Sequence, residues 1–281
     1  VDGATDYYYF ITSVDRSMNE SPSSDTAPAR TNPLLAPGWP AIMCGYDFSS
    51  PNFGDLDPGY PGLEIVVGGK DGALYEWHCD GTPVVGTGAI LETGGEIWSS
   101  PAVGDIDHDG NLEIAVGIRF LGDNNFYVLD GRGVPRPGWP KSLAGGVLTS
   151  PVLSDVDGDG RLEIFVISEG GRLHAFRWDG SPAFGDTPVL KQLYGGSLGS
   201  PAVGDINNDG FLEIVCGGGG RSDSLFVWDH LGQCLPPLPV SVVGRMKYSP
   251  TLGDVCGDNH LEICIYTDSS NLLNVVDAHG A

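Results

Sequence analysis

Residues 99–117, SSPAVGDIDHDGNLEIAVG, place Asp105, Asp107 and Asp109 at alternate positions of one short loop. Gly110 follows, Asn111 occupies position 7, and Glu113 closes the loop at position 9. Alternation aims the three carboxylates at one point, and the glycine permits the sharp bend. The backbone carbonyl of Asn111 can join them. Without a cation these charges would repel at close range. Hard oxygen ligands in a flexible cage of about six or seven favour calcium over zinc, and magnesium would demand a stricter octahedron. Strands rather than helices flank this loop, which sets it apart from the calcium loop of helix–loop–helix proteins.

The phrase returns. The first aspartates are Asp55, Asp105, Asp155, Asp205 and Asp254, at steps of 50, 50, 50 and 49 residues. Asp155, Asp157, Asp159 and Glu163 form a complete set, with Arg161 offering its carbonyl. Asp205, Asn207, Asp209 and Glu213 exchange one carboxylate for an amide, which still presents an oxygen, and Phe211 gives the carbonyl. The first copy, DLDPGYPGLE, keeps Asp55, Asp57 and Glu64 but is one residue longer and lacks the third aspartate. In the fifth, Cys256 replaces position 3, leaving Asp254, Asp258 and Glu262 with His260 at position 7. A thiol is a poor calcium ligand, so this copy is expected to be the weakest or empty. Any single copy reads as a solvated Asp/Gly turn; five copies at one phase favour the ion. Five calcium ions would offset 10 of the 23 net negative charges.

Elements of a fixed kind must carry these turns. Each unit begins with a proline (Pro51, Pro101, Pro151, Pro201, Pro250) and continues through the acidic turn into LEI and an apolar run. A loop follows, and then an aromatic-apolar segment such as LYEWHCDG, NFYVLDGRG or LHAFRWDG. A last stretch such as PGWPKSL ends the unit. The pattern predicts four short strands per unit of about fifty residues and no helical periodicity. Four-stranded sheets repeated radially make a β-propeller, and a linear solenoid would use shorter repeats. PGWP recurs at 37–40 and 137–140, two periods apart. The fifth unit, from Tyr248 to Ala281, carries only three strands. The expected architecture is therefore an all-β, five-bladed propeller over residues 31–281, closed by the segment LLAPGWPAIM. A larger ring, of which this chain is a part, is the rival.

Residues 1–30 stand outside the repeat. YYYFITSVD alternates as a strand, RSMNE turns, and a Ser/Pro/Ala linker follows. The stretch resembles the last two strands of a fibronectin type III domain, which needs about seven. The chain is accordingly expected to begin inside a domain that extends upstream.

The pattern SPAVGDIDxDGxLEIxVG resembles the FG-GAP/VCBS family of calcium-binding propeller repeats, the type that also builds the integrin α head. The resemblance implies calcium held between the first two strands of each blade, in extracellular proteins, by the residues named above. One departure is Glu in place of Asp at position 9. Integrin-type propellers have seven blades, which favours the rival ring.

Composition agrees with many short strands: 43 glycines, 21 prolines and only 14 Lys+Arg against 37 Asp+Glu. The net charge of −23 argues against nucleic acid or an anionic membrane as partner. No apolar run reaches membrane-spanning length. Six cysteines without a CxxC argue against zinc and leave a disulfide or two open.

A catalytic constellation is not visible. GGSLG at 195–199 matches a nucleophile pattern, but Ser197 falls at a blade junction with no strand-turn-helix. The glycine run 217–220 lacks the Lys-Ser/Thr of a phosphate loop and reads as a hairpin. The histidines form no HExxH motif or metal-spaced pair and read as structural or exposed. Trp77, Trp178 and Trp228 recur, as do Trp39 and Trp139, which suits packing between blades. Trp98 breaks the repeat and is the best single candidate for a ligand contact. The expected function is a non-enzymatic extracellular module for adhesion, binding or surface architecture, with calcium and a protein or glycan as partners. A polysaccharide lyase or hydrolase and a subunit of a filament or surface layer are the alternatives.

Overall fold

The computed structural model describes residues 6–9, 27–30, 36, 38–43, 49–119, 123–193, 199–218, 224–236, 239–242, 244, 246–268 and 270–277. The chain divides into two compact units, Val1–Ile42 and Met43–Ala281. In the first, Asp6–Tyr9 pairs antiparallel with Ala27–Arg30. The second of these strands lies where the sequence suggested a linker. The rest of the fibronectin-like reading lies outside the described residues, as do Ser197, Cys44 and His279.

The second unit is all β, in five successive antiparallel sheets. Sheet I comprises Asn52–Gly54, Glu64–Gly68, Ala73–Trp77 and Ala89–Glu92. Sheet II comprises Ala102–Gly104, Glu113–Gly117, Asn125–Leu129 and Lys141–Ser142. Sheet III comprises Val152–Ser154, Glu163–Ser168, Arg172–Phe176 and Val189–Gln192. Sheet IV comprises Ala202–Gly204, Glu213–Gly217, Ser224–Trp228 and Val240–Ser241. Sheet V has three strands: Thr251–Gly253, Glu262–Thr267 and Leu272–Val276.

The second strands of sheets II, III and IV are buried on both faces because each of these sheets is sandwiched between two neighbours. One face of sheet III (Phe165, Leu173, Ala175) meets Ile214, Cys216, Phe226 and Trp228 of sheet IV. Its other face (Ile164, Val166, Phe176) meets Ala115, Phe126, Val128 and Trp139 of sheet II. Trp77, Trp139 and Trp228 are thus buried packing residues, and Trp178 packs partly buried against the same cluster as Trp139. Trp139 sits edge-on to Phe126 and Phe176, and its Nε1 donates to the Trp178 carbonyl at 2.9 Å.

The serine before each proline has a defined task. Ser50, Ser100 and Ser150 each donate a backbone N–H to the hydroxyl of the serine fifty residues on, at 2.9–3.0 Å, and Ser200 donates to Ser249 at 2.9 Å. The glycine ending the first strand has another. A Cβ on Gly54 would meet Leu112 at 2.7 Å, and one on Gly204 would meet Leu252 at 2.8 Å, so each glycine accommodates a leucine of the next sheet. First strands of consecutive sheets are in contact from I through V. Among the described residues, those of sheets V and I are not.

The expected closing strand is not formed at 38–43. That segment is a turn with Gly38 at φ 83°, and the copy at 137–140 is likewise a turn (Gly138, φ 89°), leading into the two-residue strand Lys141–Ser142. Leu273 is 69% and Val275 44% exposed, whereas their equivalents Leu225 and Val227 in sheet IV are fully buried. Of the described cysteines, Cys216, Cys256 and Cys264 are free thiols.

Candidate metal centres

The acidic turns join first to second strands and share one backbone solution. Two left-handed positions shape it. Position 4 is His108, Gly158, Asn208 or Gly257 (φ 58–75°), and position 6 is Gly110, Gly160, Gly210 or Asn259 (φ 67–90°). Only glycine takes this conformation freely, and Asn and His tolerate it at modest cost. Position 6 is legible as a glycine in three of the four turns; position 4 is hidden behind three residue types, His, Gly and Asn.

These turns wrap their amides around two carboxylates. Asp105 accepts from Asp109 and Gly110, both at 3.0 Å, and Asp155 accepts from Gly158 at 2.8 Å and Gly160 at 2.9 Å. One oxygen of the position-9 glutamate accepts the amide that follows the first aspartate: Ile106 to Glu113 (2.9 Å), Val156 to Glu163 (3.0 Å), Ile206 to Glu213 (3.0 Å). All five of these glutamates are buried. Position 5 serves the loop itself. Asp109, Asp159, Asp209 and Asp258 each accept the amide of position 7, namely Asn111, Arg161, Phe211 and His260, at 2.8–3.0 Å.

Three turns bring three carboxylates together, with one oxygen of each within 4.8 Å of the others: Asp105, Asp107 and Glu113; Asp155, Asp157 and Glu163; Asp254, Asp258 and Glu262. Asp109 and Asp159 are not in these sets. In the second turn, Asp107 Oδ1 and Glu113 Oε1 are buried and accept no hydrogen bond. Both border a cavity of about 10 Å³, room for one water-sized body. Burial pushes Glu113, Glu163 and Glu213 each up to about 7, opposed by the backbone amide each accepts and reinforced by neighbouring aspartates. A buried carboxylate pair with open lone pairs and water-sized room fits a hard cation.

What faces each turn differs. The first does not gather Asp55, Asp57 and Glu64 into such a set. Glu64 Oε1 instead meets His78 Nδ1 at 2.9 Å, and the His78 ring stacks on Tyr60 at 3.6 Å. The extra residue in this loop and the missing third aspartate go with that substitution. Over the second turn, the Arg136 guanidinium contacts Asp107, reaches Asp109 at 3.1 Å and Glu113 Oε1 at 3.6 Å. Arg177 lies 3.5 Å from Asp157 in the third. In the fourth, the Asn207 amide nitrogen donates to Asp209 at 3.0 Å and to Glu213 Oε1 at 3.5 Å. Asp229 adds a further negative charge near Glu213.

Glu76 has no counterpart in the repeat pattern. It lies fully buried across from Val66, where sheets II, III and IV carry Val128, Ala175 and Val227. Neither of its oxygens accepts a hydrogen bond, and burial, with Glu64, Asp57 and Asp130 nearby, lifts it to about 8. Trp98 is half-buried: Arg119 stands 4.5 Å and Lys70 5.0 Å from its ring centre, and its Nε1 donates to Glu96.

The geometry defines a class of protein, a repeat of antiparallel sheets whose inner hairpins are acidic turns. Residues 155–216, spanning the third and fourth turns, match the FG-GAP-like repeat family. Among curated proteins, none matches in sequence. In fold, the chain is similar to the V. cholerae biofilm matrix protein Bap1 (TM-score 0.58, 17% identity, over 84% of this chain and 38% of Bap1). It is also similar to the Pseudomonas aeruginosa PilY1 C-terminal domain (TM-score 0.52, 14% identity, over 75% of this chain and 53% of that one). The chain thus spans between about a third and a half of these structures' lengths. No described helix is long and apolar enough to cross a membrane.

Proposed function

We propose that this protein is a calcium-stabilised, propeller-type binding module that works outside the cell in adhesion, partner binding or surface architecture, and is not itself a catalyst. The observation that carries the reading is the pair of buried, unbonded oxygens Asp107 Oδ1 and Glu113 Oε1 around a water-sized cavity. Asp105, Asp107 and Glu113 would hold the ion in the second turn, Asp155, Asp157 and Glu163 in the third, and Asp254, Asp258 and Glu262 in the fifth. Asp205, Asp209 and Glu213 would do so in the fourth, once the Asn207 amide turns its oxygen inward. Calcium supplies the positive charge that 14 basic residues cannot give to 37 acidic ones. Each hairpin would then tie the first strand to the second as part of folding itself. The match to the FG-GAP-like repeat supports the ion, and the likeness to a biofilm matrix protein supports the extracellular role.

Chelation tests the reading. Calorimetry in millimolar calcium and then in excess EDTA is expected to show the melting temperature falling by about 10 °C or more, as binding linkage requires for several sites. An unchanged melt removes the proposal.

A further inference from the structure

One cleft does not follow from the repeat. It opens between the outer strands of sheets II and III, with a volume of about 460 Å³, within the range of small-molecule sites. Leu143, Phe176 and Pro188 form its apolar wall, Lys141 and Arg172 its charged rim, and His174 its buried back.

The two cations are conspicuous in so acidic a chain. Arg119, Arg136, Arg177 and Lys247 are all engaged in ion pairs. Lys141 and Arg172 form none among the described residues. Arg172 Nε donates to the neutral amide of Gln192 at 3.0 Å, and Lys141 Nζ stands over Trp139 at 5.8 Å. Asp179 feels the Lys141 charge, but its carboxylate is held by Ser181.

His174 is the second departure. The same position carries Tyr75, Tyr127 and Phe226 in sheets I, II and IV. The two tyrosines donate their hydroxyls to hairpin aspartates, Asp71 at 2.5 Å and Asp123 at 3.1 Å. The sheet III hairpin has Gly170 instead. His174 Nε2 meets Ser168 Oγ at 3.1 Å, and its Nδ1 is buried without a hydrogen-bond partner. Burial, and then Arg172, lowers this histidine to about 4, so it is neutral at physiological pH. In the tautomer that donates from Nε2 to Ser168, Nδ1 offers a lone pair to a hydroxyl.

We propose that this cleft binds a carboxylated sugar, a uronate unit of an anionic glycan. The carboxylate lies between Lys141 and Arg172, a sugar hydroxyl donates to His174 Nδ1, and the ring packs on Pro188 and Val189. Two cations select the charge, the apolar wall selects a ring, and the inward lone pair selects a hydroxylated ligand over a bare anion. The inference deepens the binding role above and rests on it for the extracellular setting.

Calorimetric titration of the calcium-loaded chain with glucuronate, glucose and acetate is the test. Glucuronate is expected to bind, with glucose and acetate at least tenfold weaker. Lys141→Gln and Arg172→Gln should each weaken glucuronate about tenfold, one charge-assisted hydrogen bond's worth. His174→Phe, which installs the residue of sheet IV, should keep the melting temperature and still weaken binding several-fold. No glucuronate binding, equal affinity for glucose or acetate, or indifference to all three substitutions overturns the site. Failure here leaves the EDTA-sensitive melt in place, and failure of that melt leaves glucuronate binding in place, so the two readings are separable.

Discussion

The second and fourth acidic turns are built on one backbone and are opposed by opposite charges. Both fold their amides onto a first aspartate and a buried glutamate, with the same left-handed conformation at positions 4 and 6. Over the second lies Arg136, on the loop after the third strand, where the fourth has Leu235; both loops start on an aspartate, Asp130 and Asp229, and Asp229 adds its charge near Glu213. One turn therefore carries part of its own counter-charge, and the other increases its own demand for a cation. The ion requirement is set by the facing loop as much as by the turn.

The largest expected effect comes from removing the internal cation. Arg136→Ala leaves Asp107 and Glu113 without their ion-pair partner, and breaking a partly buried pair in this way costs about 1–3 kcal/mol. In EDTA the variant is expected to melt several degrees below the parent. In calcium the gap should close, because the ion takes the position of the guanidinium. Equal destabilisation with and without calcium would mean that Arg136 acts through packing, and the contrast between the two turns would fail.

Much of this was legible in the sequence and some was not. The fifty-residue period, the strand count per unit and the acidic turns are repeated features, and repetition makes a weak local signal decisive. The five sheets follow that reading. The opposing groups were not legible, because His78 and Arg177 directly follow the third strand while Arg136 comes seven residues after it, and the residue type does not repeat. Closure is not shown, for a related reason. PGWP looks like a strand end by its aromatic, but it forms a turn, with Gly38 and Gly138 at positive φ. The exposure of Leu273 and Val275 in sheet V could not be read from the sequence, since the same residue types at the same phase are buried in sheet IV.

Acidity gives the next largest effect. Glu113, Glu163 and Glu213 titrate near 7 and Glu76 near 8 in the folded state, against an ordinary value of 4.5. Groups raised in this way contribute stability that is fully present below about pH 4.5 and lost as pH rises through 7 to 8. The metal-free protein is therefore expected to melt several degrees lower at pH 8 than at pH 5.5. Calcium should flatten or reverse the slope, because it holds the turn glutamates ionised. A metal-free melt that rises steadily towards pH 8 would show that the buried glutamates are stabilised as anions by something other than a cation.

The smallest effect sharpens the fourth turn alone. Asp229 Oδ1 accepts the amides of Leu231 at 3.0 Å and Gln233 at 2.8 Å, so it also shapes its own hairpin. Asp229→Asn keeps that acceptor and removes only the charge. A charge near an exposed site is worth about 1 kcal/mol, so calcium affinity at the fourth turn should fall roughly fivefold, and less at high salt. Calcium titration followed through Trp228 fluorescence at low and high ionic strength reads this out. If the affinity is unchanged at low salt, Asp229 lies outside the field of the ion. The facing loop of sheet IV would then add nothing to the demand of its turn, and the difference between the two turns would rest on Arg136 alone.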